Sequence, residues 1–168
     1  MIEVTIDSVK VSLVSQYRLV VLKEQGADRY LPIRIGPFEA EAITLQMQCV
    51  EMPRPQTHDM LKKMISSLGG QVSHIVINDL RQETFYANIV INVDGKRMEV
   101  DSRPSDAINL AVRTNVKIFV SDTVMDSAGI VPEDDISGAV TGEEEEKLSA
   151  FSDFIDTLDL DDLGKENK

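Results

Sequence analysis

Tryptophan is absent from this chain of 168 residues, cysteine occurs once, and aromatic residues make up only 5% of it. A single cysteine, Cys49, excludes an internal disulfide, so the fold must rest on an apolar core. We expect Cys49 as a reduced thiol packed in a helix, in a cytoplasmic protein. No apolar run reaches the roughly 18 residues that a membrane-spanning helix needs. The first residues, "MIEVTIDSVKVSLV", lack a basic start, an apolar stretch and a small-residue cleavage site, so no signal peptide is expected. Basic charge is scarce: 17 Lys and Arg face 29 Asp and Glu, for a net charge of −12. The deficit sits at one end. Residues 133–168 carry 13 acids and three lysines, a net −10, while residues 1–132 carry −2. A near-neutral body lacks the basic footprint that nucleic-acid binding ordinarily uses. Nucleophile-elbow, Walker, dinucleotide-fingerprint, zinc-pair and HExxH patterns are all missing.

Hydrophobic residues form 42% of the chain, enough for a core, and seven methionines outnumber five phenylalanines. The length suits one domain, residues 1–131, followed by an acidic linker and tail, residues 132–168. "IEVTIDSVKVSLV" alternates with period two and slips phase near Ser8, which predicts a bulged strand. A turn at Ser15-Gln16, then "YRLVVLKE", "GAD" and "RYLPIRIG", complete a three-stranded antiparallel meander. After Gly36-Pro37 the period changes. Phe38, Ala42, Leu45 and Cys49 form one stripe, with Ile43 and Met47 beside it, predicting a helix from Phe38 to about Val50.

Thr57 predicts the N-cap of a second helix, about His58 to Leu68, closed by Gly69-Gly70. "QVSHIVINDL", "TFYANIVINVD" and "KRMEV", joined by turns at Arg81-Gln82-Glu83 and Asp94-Gly95, predict a second meander. Ser105 predicts the cap of a third helix, about Asp106 to Arg113, and "KIFVS" a last short strand. The fold class is therefore α+β, with mostly antiparallel meanders and three core helices. "RPQTHDML" from Arg54 and "RPSDAINL" from Arg103 repeat one pattern, consistent with an internal duplication. In the tail, Thr141 and Glu144 fit a capping box, and Leu148, Phe151, Ile155 and Leu158 form the stripe of an acidic amphipathic helix. Met47, Met52, Met60 and Met64 read as core or interface filler, and His74 as a structural strand residue.

"PRPQTHDML", "TFYANIVI" and "VDSRPSDAINLAVR", in that order, resemble the bifunctional nuclease domain family. The resemblance runs from about Ile2 to Ala128. It implies an α+β domain that self-associates, with a dimer favoured, and nuclease activity on RNA and DNA. Members with a basic C-terminal segment of the excision-repair kind differ from this chain, whose tail is acidic.

Phosphodiester hydrolysis needs an activated water, charge neutralisation on the phosphate and a stabilised leaving oxygen. Carboxylates holding Mg²⁺ or Mn²⁺ commonly supply the first two. Asp59, Asp101 and Asp106 are the candidate metal ligands and His58 the proton carrier. Arg54 and Arg103, with the helix starts at Thr57 and Ser105, are candidates for holding the phosphate. The same residues also fit a structural reading, in which Asp59 and Asp106 favour first helical turns and Arg103 pairs with Asp101. Two functions follow from these readings. One is a metal-assisted nuclease. The other is a non-catalytic oligomeric module whose acidic tail contacts a partner or a second subunit.

Overall fold

The computed structural model describes residues 1–11 and 17–132, and the expected turn at Ser15-Gln16 and the expected tail helix lie outside these residues. Strands β1 (Ile2–Val11), β2 (Arg18–Glu24) and β3 (Tyr30–Ile35) form the first antiparallel meander. The β1–β2 register shifts between Ile6 and Ser8, where the alternation slips phase. Helices α1 (Pro37–Met47) and α2 (Thr57–Ser67) follow. Strands β4 (Gly70–Arg81), β5 (Thr84–Val93) and β6 (Lys96–Ser102) make the second meander. Its turns put Gln82 and Glu83, then Asp94 and Gly95, at positive φ. Two left-handed residues in a row match the right-handed twist of a tight hairpin, and Asp-Gly supplies them at least strain.

Helix α3 (Pro104–Thr114), strand β7 (Lys117–Val120) and helix α4 (Asp122–Ala128) complete the described chain. β7 lies antiparallel to β1 and parallel to β4. It joins the two meanders into one seven-stranded sheet, ordered β3-β2-β1-β7-β4-β5-β6. The expected α+β class holds, and α4 is an addition to the three helices expected. It is capped by Ser121, whose hydroxyl accepts from the Val124 amide, and it buries Val124 and Met125. The core lies between the sheet and α1–α3, around Val20, Leu22, Leu31, Ile33, Ile43, Ile75, Ile77, Ile108 and Leu110.

Several expectations of position need correction. α1 buries Ala40, Ala42 and Ile43, while Phe38 is 80% exposed. Ala42 and Ile43 hold the expected inward face and Leu45 is half-buried, while Phe38, one turn earlier, faces solvent. Cys49 lies beyond α1 at φ 55 and is exposed, not packed in a helix. Met47, Met52, Met60 and Met64 are all exposed, so none fills the core. On α2 the inward face is Leu61 and Ile65. Thr57 and Ser105 are not caps. Gln56 and Arg103 hold the N-cap positions, with Thr57 at the first helical residue and Ser105 at the second.

The expected echo between Arg54 and Arg103 is out of step, since α2 precedes its meander and α3 follows one. The closer parallel is between α1 and α3. Each follows a three-stranded meander, starts on a proline and carries an acid then an alanine: Pro37, Glu39 and Ala40, against Pro104, Asp106 and Ala107.

Candidate functional site

Pro37, Thr57 and Pro104 are the first residues of their helices, so Glu39, Asp59 and Asp106 all stand third. A carboxylate there is favoured by the unpaired amides and the helix dipole. Helix packing then decides what each acid meets. α3 packs against both α1 and α2. Asp106 accepts from Arg103 Nε at 2.7 Å and Nη2 at 3.0 Å, and lies 3.1 Å from His58 Nε2. Arg103 Nη2 also reaches Glu39 at 2.9 Å. Glu39, Arg103, Asp106 and His58 therefore form one continuous polar chain across the starts of α1, α3 and α2. Gly36 makes room for it, since a β-carbon there would collide with the Glu39 carboxylate.

This chain borders a hollow of about 470 Å³, also lined by Phe38, Glu41, Ala42, Gln56 and Thr57. His58 is buried and Arg103 exposed. With Nε2 facing Asp106, the ring's other nitrogen, Nδ1, has no protein partner among the described residues. Burial pushes the Asp106 carboxyl up, but Arg103 and His58 outweigh it and hold the group below the usual carboxylate range. Arg103 is raised above its ordinary value by its bonds to Asp106 and then Glu39. Three carboxylates line the hollow against one guanidinium.

Of the eight candidate residues, Thr57, His58, Arg103 and Asp106 thus border one hollow. The other four expected residues lie elsewhere. Asp101 is exposed on β6, opposite Asn88 of β5. Ser105 is buried, and its carbonyl accepts from the Asn109 side chain at 3.0 Å. Arg54 lines a separate hollow with Cys49, Glu51 and Asp59. Asp59 accepts from the Gln56 amide at 2.8 Å and from Arg113 Nε at 2.7 Å. Burial raises its carboxyl, and the Gln56 amide and Arg113 more than reverse the effect.

Arg113, unremarked in the sequence, is buried. Its remaining N–H groups reach the Asn109 carbonyl and side chain, the Ala42 carbonyl and the Gln56 side chain. It ties α1, the start of α2 and α3 together directly behind the hollow. Glu39 and Phe38 were also missed as site residues. Glu39 carried a signal, because a first-turn acid after Gly-Pro repeats the Asp106 pattern.

A divalent ion does not fit the expected ligands in this arrangement. Asp59 is paired with Arg113, Asp101 is exposed on β6, and Asp106 is held by Arg103 and His58. Among the described residues no three His, Cys, Asp or Glu side chains are placed to hold a metal.

The bifunctional nuclease domain matches residues 20–133, a span that includes the whole polar chain. An uncharacterized protein of Mycobacterium tuberculosis is 37% identical over 162 residues, covering 96% of this chain and 97% of that protein. Bifunctional nuclease 2 of Oryza sativa subsp. japonica is 33% identical over 118 residues, 68% of this chain and 36% of the plant protein. Bifunctional nuclease 1 of Arabidopsis thaliana is 30% identical over 115 residues, 66% of this chain and 35% of that protein. The plant similarity therefore spans about a third of those proteins. With the domain match covering well over half of its length, this chain belongs to the bifunctional nuclease domain family.

Proposed function

We propose that the chain hydrolyses phosphodiester bonds of single-stranded RNA or DNA at the hollow between the starts of α1, α2 and α3. The observation that carries the reading is the His58–Asp106–Arg103 chain at its edge. His58 donates its Nε2 proton to Asp106, which fixes the tautomer and leaves Nδ1 free to take a proton from the attacking water. The water oxygen bonds to phosphorus and the P–O bond to the leaving oxygen breaks. The departing alkoxide takes a proton from solvent, and His58 later loses its own to solvent. Arg103, on the rim, turns one of its donors from a carboxylate to the phosphate and stabilises the charge that develops there. Phe38, 80% exposed beside Glu39, offers a face on which an unpaired base stacks. No step is routed through a divalent ion, since among the described residues no three His, Cys, Asp or Glu side chains are grouped to hold one.

Fluorescent single-stranded RNA and DNA, incubated with the wild-type chain and with His58→Gln, test the reading. The variant is expected to cleave about 10²–10⁴-fold more slowly, the range for loss of a general base. Cleavage by the wild type is expected to persist in EDTA. Equal cleavage by both proteins overturns the assignment of His58.

The excess of carboxylates over guanidinium in the hollow favours a second reading, a non-catalytic module in which Arg103 locks α1 to α3. In that case neither protein cleaves, and Arg103→Ala changes only stability.

A further inference from the structure

The three carboxylates of the hollow are not equivalent. Glu39 accepts from Arg103, and Asp106 accepts from Arg103 and lies against His58. Glu41 is exposed and has no hydrogen-bond or ion-pair partner among the described residues. It stands one turn after Phe38 on α1, so the two side chains are neighbours on one helix face, and both line the hollow. Phe38, at 80%, is the most exposed of the described large hydrophobic residues. A ring left in water forgoes the gain that burial brings, and a flat ligand laid on it recovers that gain.

These neighbours set what a ligand must carry. Arg103, in the same hollow, repels a cation and attracts an anion. Phe38 favours a flat ring. An ionised carboxylate at Glu41 accepts hydrogen bonds and has none to give. A nucleotide meets all three demands, with its phosphate, its ring face and its ring edge. The bases differ at the edge. Guanine presents two adjacent donors, N1–H and the N2 amine, which match the two oxygens of a carboxylate. Adenine and cytosine each set one amine beside a bare ring nitrogen, whose lone pair repels the carboxylate. Uracil and thymine offer one N–H between two carbonyls, which repel it as well.

Resting on the reading of this hollow as a nucleic-acid site, we infer that it selects guanine beside the phosphate at Arg103, with the base stacked on Phe38 and both edge donors on the Glu41 carboxylate. Stacking on Phe38 holds any base, and Glu41 chooses among them.

Fluorescence anisotropy, with cleavage blocked by His58→Gln, tests the inference. The probes are three labelled oligouridines of one length: all uridine, one with a central guanosine, and one with a central inosine, which lacks the N2 amine. The guanosine strand is expected to bind about 5- to 150-fold more tightly than the uridine strand, the range that one bidentate pair gives, with the inosine strand between them. Adding Glu41→Gln is expected to bring the three strands to nearly one affinity. Ratios between strands within one protein cancel the general gain in affinity that follows from deleting a negative charge. Equal binding of the three strands by the His58→Gln protein, or a guanosine preference that survives Glu41→Gln, overturns the inference, and wild-type cleavage then still supports the hydrolytic reading. A guanosine preference that Glu41→Gln abolishes, in a protein whose wild type cleaves nothing, upholds the base site and overturns the hydrolytic reading alone.

Discussion

Asp59 and Asp106 share a helical position, and their carboxyls are both held low, yet their partners give them separate work. Burial raises each, but the Gln56 amide and Arg113 reverse this at Asp59, and Arg103 and His58 reverse it at Asp106. An unfolded Asp takes up its proton near pH ~3.9, before either folded group does. The stability that each contributes is therefore complete above that pH and is lost as pH falls through the lower folded values. Urea unfolding at a series of acid pH values checks this, and Asp59→Asn or Asp106→Asn is expected to flatten the decline. Catalysis separates the two positions. Asp106→Asn removes the acceptor that fixes the His58 tautomer and is expected to slow cleavage strongly. Asp59→Asn keeps a carbonyl facing Arg113 and is expected to leave the cleavage rate unchanged at temperatures well below its melt. Loss of activity in both variants would place Asp59 in the reaction instead of behind it.

α1, α2 and α3 present their first turns to one hollow because Arg113 binds them together at its back. Its guanidinium makes five donor contacts to Asp59, Asn109, Ala42 and Gln56 from a side chain that is 2% exposed. Arg113→Met takes its donors away from all of these acceptors and leaves Asp59 only the Gln56 amide. Removing one partner of a buried ion pair costs about 3–5 kcal/mol, and the half-exposed Asp59 carboxylate sets the lower end here, a fall in melting temperature on the order of 10 °C. Arg113→Lys offers three donors without the planar fork and is expected to recover only part of the loss, which a thermal melt of the three proteins checks. This clamp also marks the limit of what the sequence discloses. The meanders were legible because period-two alternation, the slip at Ser8 and the Asp94-Gly95 turn are local signals. His58 and Asp106 were each legible as candidates at a helix start, but the contact between them was not. Nor was the role of Arg113, since its partner Asp59 lies 54 residues away and a helix-terminal Arg has an ordinary local explanation. The role of Glu39 was not legible because its partner, Arg103, stands at the start of another helix far along the chain. Insertion of β7 between β1 and β4 depends on pairings such as Ile2 with Val120, which no local pattern encodes.

For the whole molecule, charge decides how nucleic acid can be held. Residues 1–132 carry −2 and residues 133–168 carry −10, so the net charge of neither part attracts a polyanion. If the hollow is the binding site, recognition rests on Arg103 and on stacking at Phe38. Each phosphate neutralised on a single strand contributes a slope of about −0.7 to the dependence of log affinity on log salt. One guanidinium therefore predicts a loss of roughly threefold between 50 and 200 mM salt, where 6–10 phosphate contacts at the same slope would lose on the order of 300- to 16,000-fold. Fluorescence anisotropy of a labelled single-stranded oligonucleotide, with catalysis blocked by His58→Gln, measures the slope. Phe38→Ala is expected to weaken binding by about 1–3 kcal/mol without altering that slope, because stacking releases no counterions. Arg103→Gln is expected to bring the slope close to zero. A steep slope that survives Arg103→Gln would mean that other cations carry the strand, and the hollow would then lose its claim to be the binding site.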